Sequence, residues 1–198
     1  MNKAKKDTTY KIGFARPALI LETVLVAQAF RELNDWSAVK LAVSKDNLLQ
    51  TRTVRSGEIA YAEIYKRLSL LNETQIEVLA DDYPQDVRQL IWIALCKQYP
   101  FIGEFTLEVL VPAHNAGRNE VGHDDYGYFF NSKAEWHPEL DSVSDKTRSN
   151  ARQALFQMMR QCHLLTDTNQ LIPQMITPAV QNCSSDYELS LIPGAIRL

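Results

Sequence analysis

In residues 142–165, SVSDKTRSNARQALFQMMRQCHLL, the apolar side chains Ala151, Leu155, Met158, Cys162 and Leu165 recur three and four positions apart. That is the α-helical period, and it gives the segment one face to bury. At about 100° per residue, Lys146, Ser149, Gln153 and Arg160 gather on the opposite side, with Arg152 on their flank. Asp145 is the segment's one acid. Ser142 and Asp145 have the spacing of a capping box, with Ser144 a competing N-cap. The pattern fits a solvated helix face or a cationic face presented to a partner. Behind it come Leu164-Leu165, a polar turn Thr166-Asp167-Thr168-Asn169, and Leu171-Ile172. A helix followed by an apolar–turn–apolar unit has the form of the recognition helix and wing of a winged-helix DNA binder.

The same period runs through the rest of the chain. Pro17 is placed to open a first helix running to Leu33, apolar nearly all round and therefore central to the core. Ser37 caps a short helix to about Val43. A basic linker, residues 47–56, leads into a helix from about Val54 to Leu71 whose stripe is Tyr61, Ile64, Leu68 and Leu71. Arg55 and Lys66 lie opposite that stripe, and Arg52 stands just before it. This face reads either as solvated, with a Glu63–Arg67 pair, or as a surface that tracks phosphates. Asn72 caps a helix to Leu79, and Pro84 starts another through Lys97 with Val87, Leu90, Ile91, Ala94 and Leu95 inward. Residues 101–111 continue as helix with Ile102, Phe105 and Val109 buried. Tyr126, Phe129 and Phe130 mark a further short helix, as packing aromatics or as platforms for stacked bases. Leu189, Leu191 and Ile192 form a closing tail that must dock on something.

These elements predict a mainly all-α protein: a multi-helix globular core with a winged-helix-like C-terminal part that includes a short β-hairpin. The division expected is a loose basic arm (1–15), a helical core (16–111), a long polar loop (112–125) and the C-terminal part (126–198) packed on the core.

Charge is segregated along the chain. Residues 1–16, 40–70 and 144–165 carry +4, +3 and +3, although the whole chain carries −3. Basic segments inside an acidic chain are an electrostatic footprint for a polyanion or an acidic protein. Three cysteines, an odd number and none in a CxxC, suit buried thiols in a reducing cytoplasm. The most apolar run, residues 18–27, is broken by Glu22 and is far short of the ~20 residues that span a bilayer. His114, His123, Asp124 and Asp125 could ligate a metal, but their spacing matches no metal motif, so no metal or cofactor is expected. Gly-rich phosphate loops, GxSxG and HExxH are absent, and nothing marks an enzyme.

Several stretches together resemble the BrxA family, the small helical component of BREX bacteriophage-exclusion systems. They are Leu19-Ile20-Leu21-Glu22-Thr23; Asn47-Leu48-Leu49-Gln50-Thr51-Arg52-Thr53 with Lys66-Arg67-Leu68; Phe105-Thr106-Leu107-Glu108-Val109; and His137-Pro138-Glu139-Leu140 followed by Lys146-Thr147-Arg148 and Leu164-Leu165. The resemblance implies a nearly all-α protein that binds double-stranded DNA in phage defence, without enzymatic activity of its own. It also implies work beside a methyltransferase, an ATPase and a phosphatase-like protein. An inner-membrane label attached to that family conflicts with the missing span. Arg52, Arg55 and Lys66 are expected to form one phosphate-contacting patch, and Lys146, Arg148, Arg152 and Arg160 another. The alternatives are an assembly scaffold whose basic surfaces dock other defence proteins and a metal-dependent nuclease using the His/Asp loop.

Overall fold

A computed structural model describes residues 10–14 and 17–196. The basic stretch of residues 1–9, read as part of a loose arm, lies outside them. The arm's end is docked: Tyr10 and Ile12 are buried, Tyr10 stacks on His137 at 3.7 Å, and its hydroxyl donates to Glu104 Oε2 at 2.8 Å.

Helix α1 is Ile20–Leu33, α2 Trp36–Lys45, α3 Val54–Leu68, α4 Glu73–Ala80 and α5 Pro84–Gln98. Asp35, not Ser37, caps α2, accepting the Ser37 N–H at 2.8 Å. Asn72 and Gln75 form the capping box of α4, each side chain bonding the other's backbone N–H. Pro84 occupies the first turn of α5, where a missing N–H costs nothing.

The core is built around α5, not α1. Every residue from Leu90 to Cys96 on α5 is buried, and α1, α3 and α4 pack against it. Helix α1 lies at the edge against α4, with Leu21 76% exposed, so its all-round apolarity does not mean burial on every side. It also starts three residues later than expected, after Leu19 in the left-handed region (φ 55°).

The cause is Arg67, 1% exposed in the last turn of α3. Its NH1 donates to the carbonyls of Pro17 and Ala18, both at 2.9 Å, and its Nε to Gln98 Oε1 at 3.1 Å. Those carbonyls are turned toward the guanidinium and cannot begin a helical ladder. Gln98 and Tyr99 in turn donate to buried Glu63 Oε1, at 2.6 and 2.8 Å. Burial opposes the Glu63 charge, but the Tyr99 and Gln98 bonds hold its pKa below the ordinary glutamate value. The Glu63–Arg67 pair expected on a solvated face is therefore two members of an interior network tying α3, α5 and the entry to α1.

Beyond Tyr99, α6 (Pro100–Phe105), a π-helical turn (Thr106–Leu110) and α7 (Val111–Asn115) form one continuous helix. Pro112 lies within it; proline cannot supply a ladder N–H, and the widened turn just before it accommodates that loss. Helix α8 (His123–Ala134) also begins earlier than expected, with Asp125 Oδ2 accepting the Gly122 N–H at 2.7 Å. The expected loop over 112–125 is thus reduced to residues 116–122. After α9 (Pro138–Asp141) comes α10 (Asp145–Gln161), capped by Ser144, which accepts the Thr147 N–H at 3.3 Å.

Ala151, Leu155, Met158, Cys162 and Leu165 are all buried. The turn behind α10 closes through a Leu165–Leu171 antiparallel bridge, with Thr166 N–H donating to Gln170 O at 2.9 Å. Glu120 bridges Gln170 from the other side. The hairpin expected here is this bridged turn. The two-residue strands are β1 (Gln174–Met175) and β2 (Ala195–Ile196), paired in parallel, with α11 (Pro178–Cys183) and α12 (Asp186–Ser190) between them. Leu189, Leu191 and Ile192 dock the tail on the chain's own core. The protein is mainly all-α, and among the described residues no helix is long and apolar enough to cross a membrane.

Two outcomes follow for stability. Arg67→Ala should remove about 3 kcal/mol or more, because it strands two buried carbonyls and Gln98. At this chain length the calorimetric midpoint should fall by roughly 6–12 °C; a fall of one or two degrees would contradict the role given to Arg67. Glu188 meets Lys97 Nζ at 2.8 Å and caps α12 through Ser185. Burial opposes its charge, and these bonds outweigh it, lowering its pKa from 4.5 to about 2. A depressed carboxylate stabilises the fold above its unfolded pKa and loses that effect as pH falls through the folded value. The midpoint gap between wild type and Glu188→Gln should be full at neutral pH and close from about pH 4.5 toward 2.

Candidate nucleic-acid interface

The seven basic residues singled out in the sequence fall into three environments. Arg52, Arg55 and Lys146 are exposed, and none has a hydrogen-bonding or acidic side-chain partner among the described residues. Arg52 rides on an ordered turn: Asn47 Oδ1 accepts the Thr51 N–H at 3.0 Å, and Thr53 caps α3 at Ser56 N–H, 3.2 Å. Arg55 and Lys66 are eleven residues apart on α3, three turns, so they share a side of the helix about 16 Å apart. Lys66 is exposed but leans on Glu63 Oε2 at 3.4 Å, which leaves that interaction weak.

Beside Lys66, Trp36, Tyr61 and Tyr65 line a cleft of about 630 Å³, with Lys40 and Glu58 at its rim. Trp36 stacks on Phe30 at 3.9 Å, and Tyr61 donates to the Trp36 carbonyl at 2.8 Å. Tyr61 was read only as part of a buried stripe, and Trp36 and Tyr65 escaped the sequence reading, because they belong to different helices and only packing joins them.

Arg148 departs from expectation. Its guanidinium lies over the Phe130 ring at 4.2 Å, and NH2 donates to Gly127 O at 3.2 Å and Asn131 Oδ1 at 2.8 Å. Helical phase places Arg148 toward α8, so this cation is engaged in clasping α8 to α10 rather than free on the surface. Tyr126, Phe129 and Phe130 beneath it are buried, which makes them core and removes them as base-stacking platforms.

Arg152 and Arg160 continue the same i, i+4 row with Phe156 between them. Both are half-buried, and the Nε of each is enclosed without a hydrogen-bond partner. Arg160 NH2 donates to Asn169 Oδ1 at 2.7 Å, which ties the helix to the turn behind it. The His123 ring meets Phe156 edge-on at 5.0 Å. Burial, then Arg152 and Arg160, pushes the His123 pKa below its ordinary value, while Asp124 pulls the other way. His123 and Asn169 are the residues the sequence reading did not connect to this row.

His114 and Asp125 of the polar connection are engaged with other partners. His114 packs against Gly194, where its ring leaves no room for a Cβ, and Asp125 forms a two-pronged pair with Arg118 at 2.8 and 3.0 Å. No three His, Cys, Asp or Glu stand together as a ligand set among the described residues. Burial pushes the Cys96 and Cys162 thiols up to about 12, which makes them core groups and poor nucleophiles. The electrostatic feature left on the surface is an outer face of α10, with Lys146, Asn150, Gln153 and Gln157 exposed and no acid after Asp145.

If Arg148 is structural, Arg148→Lys should destabilise the protein by about 1–2 kcal/mol, since an ammonium keeps the charge but loses the planar stack and the fork. Lys146→Ala should cost under about 0.5 kcal/mol in the same denaturant titration. Equal effects would refute the distinction.

A family model described as BrxA matches residues 8–186. A protein of Escherichia coli O9:H4 (strain HS) described as "BREX protein BrxA" is 23% identical over 131 residues, 66% of this chain and 62% of that protein. The matched region thus spans less than two thirds of that relative. The crystal structure of an uncharacterized protein from Magnetospirillum magneticum superposes with a TM-score of 0.78 at 18% identity, covering 94% of this chain and 99% of that one. At that identity the likeness establishes a shared fold.

Proposed function

Since the chain belongs to the BrxA family, we propose that it is a non-enzymatic, double-stranded-DNA-binding component of a BREX anti-phage system, holding the duplex mainly through its phosphates. The observation that carries this reading is the outer face of α10, free of acids after Asp145, with Arg152 and Arg160 at its margin, in a chain whose net charge is −3. Cations kept clear of carboxylates in an acidic protein are free to displace counterions from a polyanion. Helix α10 then plays the part of a recognition helix, and the bridged turn at Thr166–Asn169 that of a short wing. Arg52, Arg55 and Lys66 supply a second set of contacts at α3. Phosphate contacts of this kind position a duplex without selecting its sequence.

The test is fluorescence anisotropy with two unrelated duplexes over a salt series. Similar affinities with a steep negative salt dependence are expected. Arg52→Ala or Lys146→Ala should weaken both duplexes alike and lower the slope by about one. Absence of binding at low salt would sink the proposal and leave the basic faces to a protein partner in the defence complex.

A further inference from the structure

Arg152, Arg160 and His123 share an arrangement that the other basic residues lack. Arg152 has no hydrogen bond and no carboxylate partner among the described residues, and only its Nε is among the enclosed unpartnered atoms. Its terminal nitrogens therefore reach the surface. Arg160 is pinned through NH2 by Asn169, and its NH1 is likewise unbonded and not enclosed. Phe156 is the floor: the Arg160 guanidinium carbon stands 6.0 Å from its centre and the His123 ring 5.0 Å. Two half-buried guanidiniums without a carboxylate partner among the described residues are unfavourable on their own, and a bound anion would relieve the cost.

We propose that Arg152, Arg160 and His123 form a fixed notch that seats one phosphate oxyanion of a nucleic-acid backbone, while the exposed Arg52, Arg55, Lys66 and Lys146 act as surface counter-charges. This rests on the DNA-binding reading and deepens it. The notch is pre-organised: Asn169 and Phe156 hold Arg160, and both arginine stems are already half-buried, so little side-chain freedom is lost on binding. Planar forks also match a phosphate better than ammonium groups do.

His123 links the notch to pH. The charged groups facing it are Arg152 and Arg160 from α10 and Asp124 from its own helix, and the two arginines favour the neutral ring. A seated anion offsets their field and draws a proton onto the ring. Binding therefore takes up a proton and tightens as pH falls.

The experiment uses the full chain. Duplex affinity is measured by anisotropy at about pH 7.5 and 5.8 for wild type, R152Q, R160Q, H123Q and R52Q/R55Q. The histidine ring resonances of the wild-type protein are followed separately by NMR as inorganic phosphate is added, with His123 assigned by its loss in H123Q. R152Q and R160Q should each lose about tenfold or more in duplex affinity, the worth of a charge-assisted hydrogen bond, and each should lose more than R52Q/R55Q. The tightening at low pH should be smaller in H123Q than in wild type, and phosphate should shift the His123 resonances. Wild-type affinity in R152Q and R160Q with unmoved resonances overturns the notch and leaves duplex binding standing. Shifted resonances in a chain with no duplex affinity overturn the nucleic-acid source and support a site for free phosphate. If the substituted chains melt early, the wild-type ring titration decides alone.

Discussion

A guanidinium enclosed at the end of α3 sets the geometry of the helical core. Arg67 is 1% exposed, and the carbonyls of Pro17 and Ala18 converge on it. A charge so placed is tolerable only when its donors are used and a carboxylate lies within reach. Gln98 and Tyr99 connect it to Glu63, so one network fixes the end of α3, the end of α5 and the start of α1. The price is backbone strain at Leu19, a bulky residue in the left-handed region, where such conformations cost of order 1 kcal/mol or more. Hydrogen bonds to a buried charge are worth more than that, so the strained entry persists.

The arginines of α10 show how one helix divides charge between packing and surface. Arg148 is consumed by Phe130, Gly127 and Asn131, which hold α8 against α10. Among the described residues Arg152 has no such partners, and Arg160 has the Phe156 ring of its own helix and Asn169 in the turn behind it. The difference follows from what each meets across the interface: a ring with acceptors at its edge for Arg148, and the head of α8 with the His123 ring for Arg152 and Arg160. Identical side chains at four-residue spacing thus acquire different roles from a neighbour that lies about twenty to forty residues away in sequence.

Helix positions were largely readable because they rest on local rules. Pro84 opens α5, Asn72 with Gln75 caps α4, and the stripes of α3 and α10 are buried as their spacing requires. The errors occur where distant groups override a local preference. Pro17 is a good first helical residue, yet its carbonyl serves Arg67. Ser142 fits a capping box, but its hydroxyl donates to Glu139 O at 3.0 Å and Ser144 caps the helix instead. Pro112 suggests a helix end, and the chain absorbs it in a π-helical turn.

The fold class, the buried stripes and the clustering of positive charge were legible along the chain, because periodicity, capping and charge are properties of neighbouring residues. Packing across the fold sets that α5 and not α1 is enclosed, that Arg67 is interior, and that Arg148 is held by α8 while Arg152 has no hydrogen-bond partner among the described residues. Those outcomes depend on which acceptors and rings approach from other elements, and burial and hydrogen-bond satisfaction across the fold are not encoded in any short window.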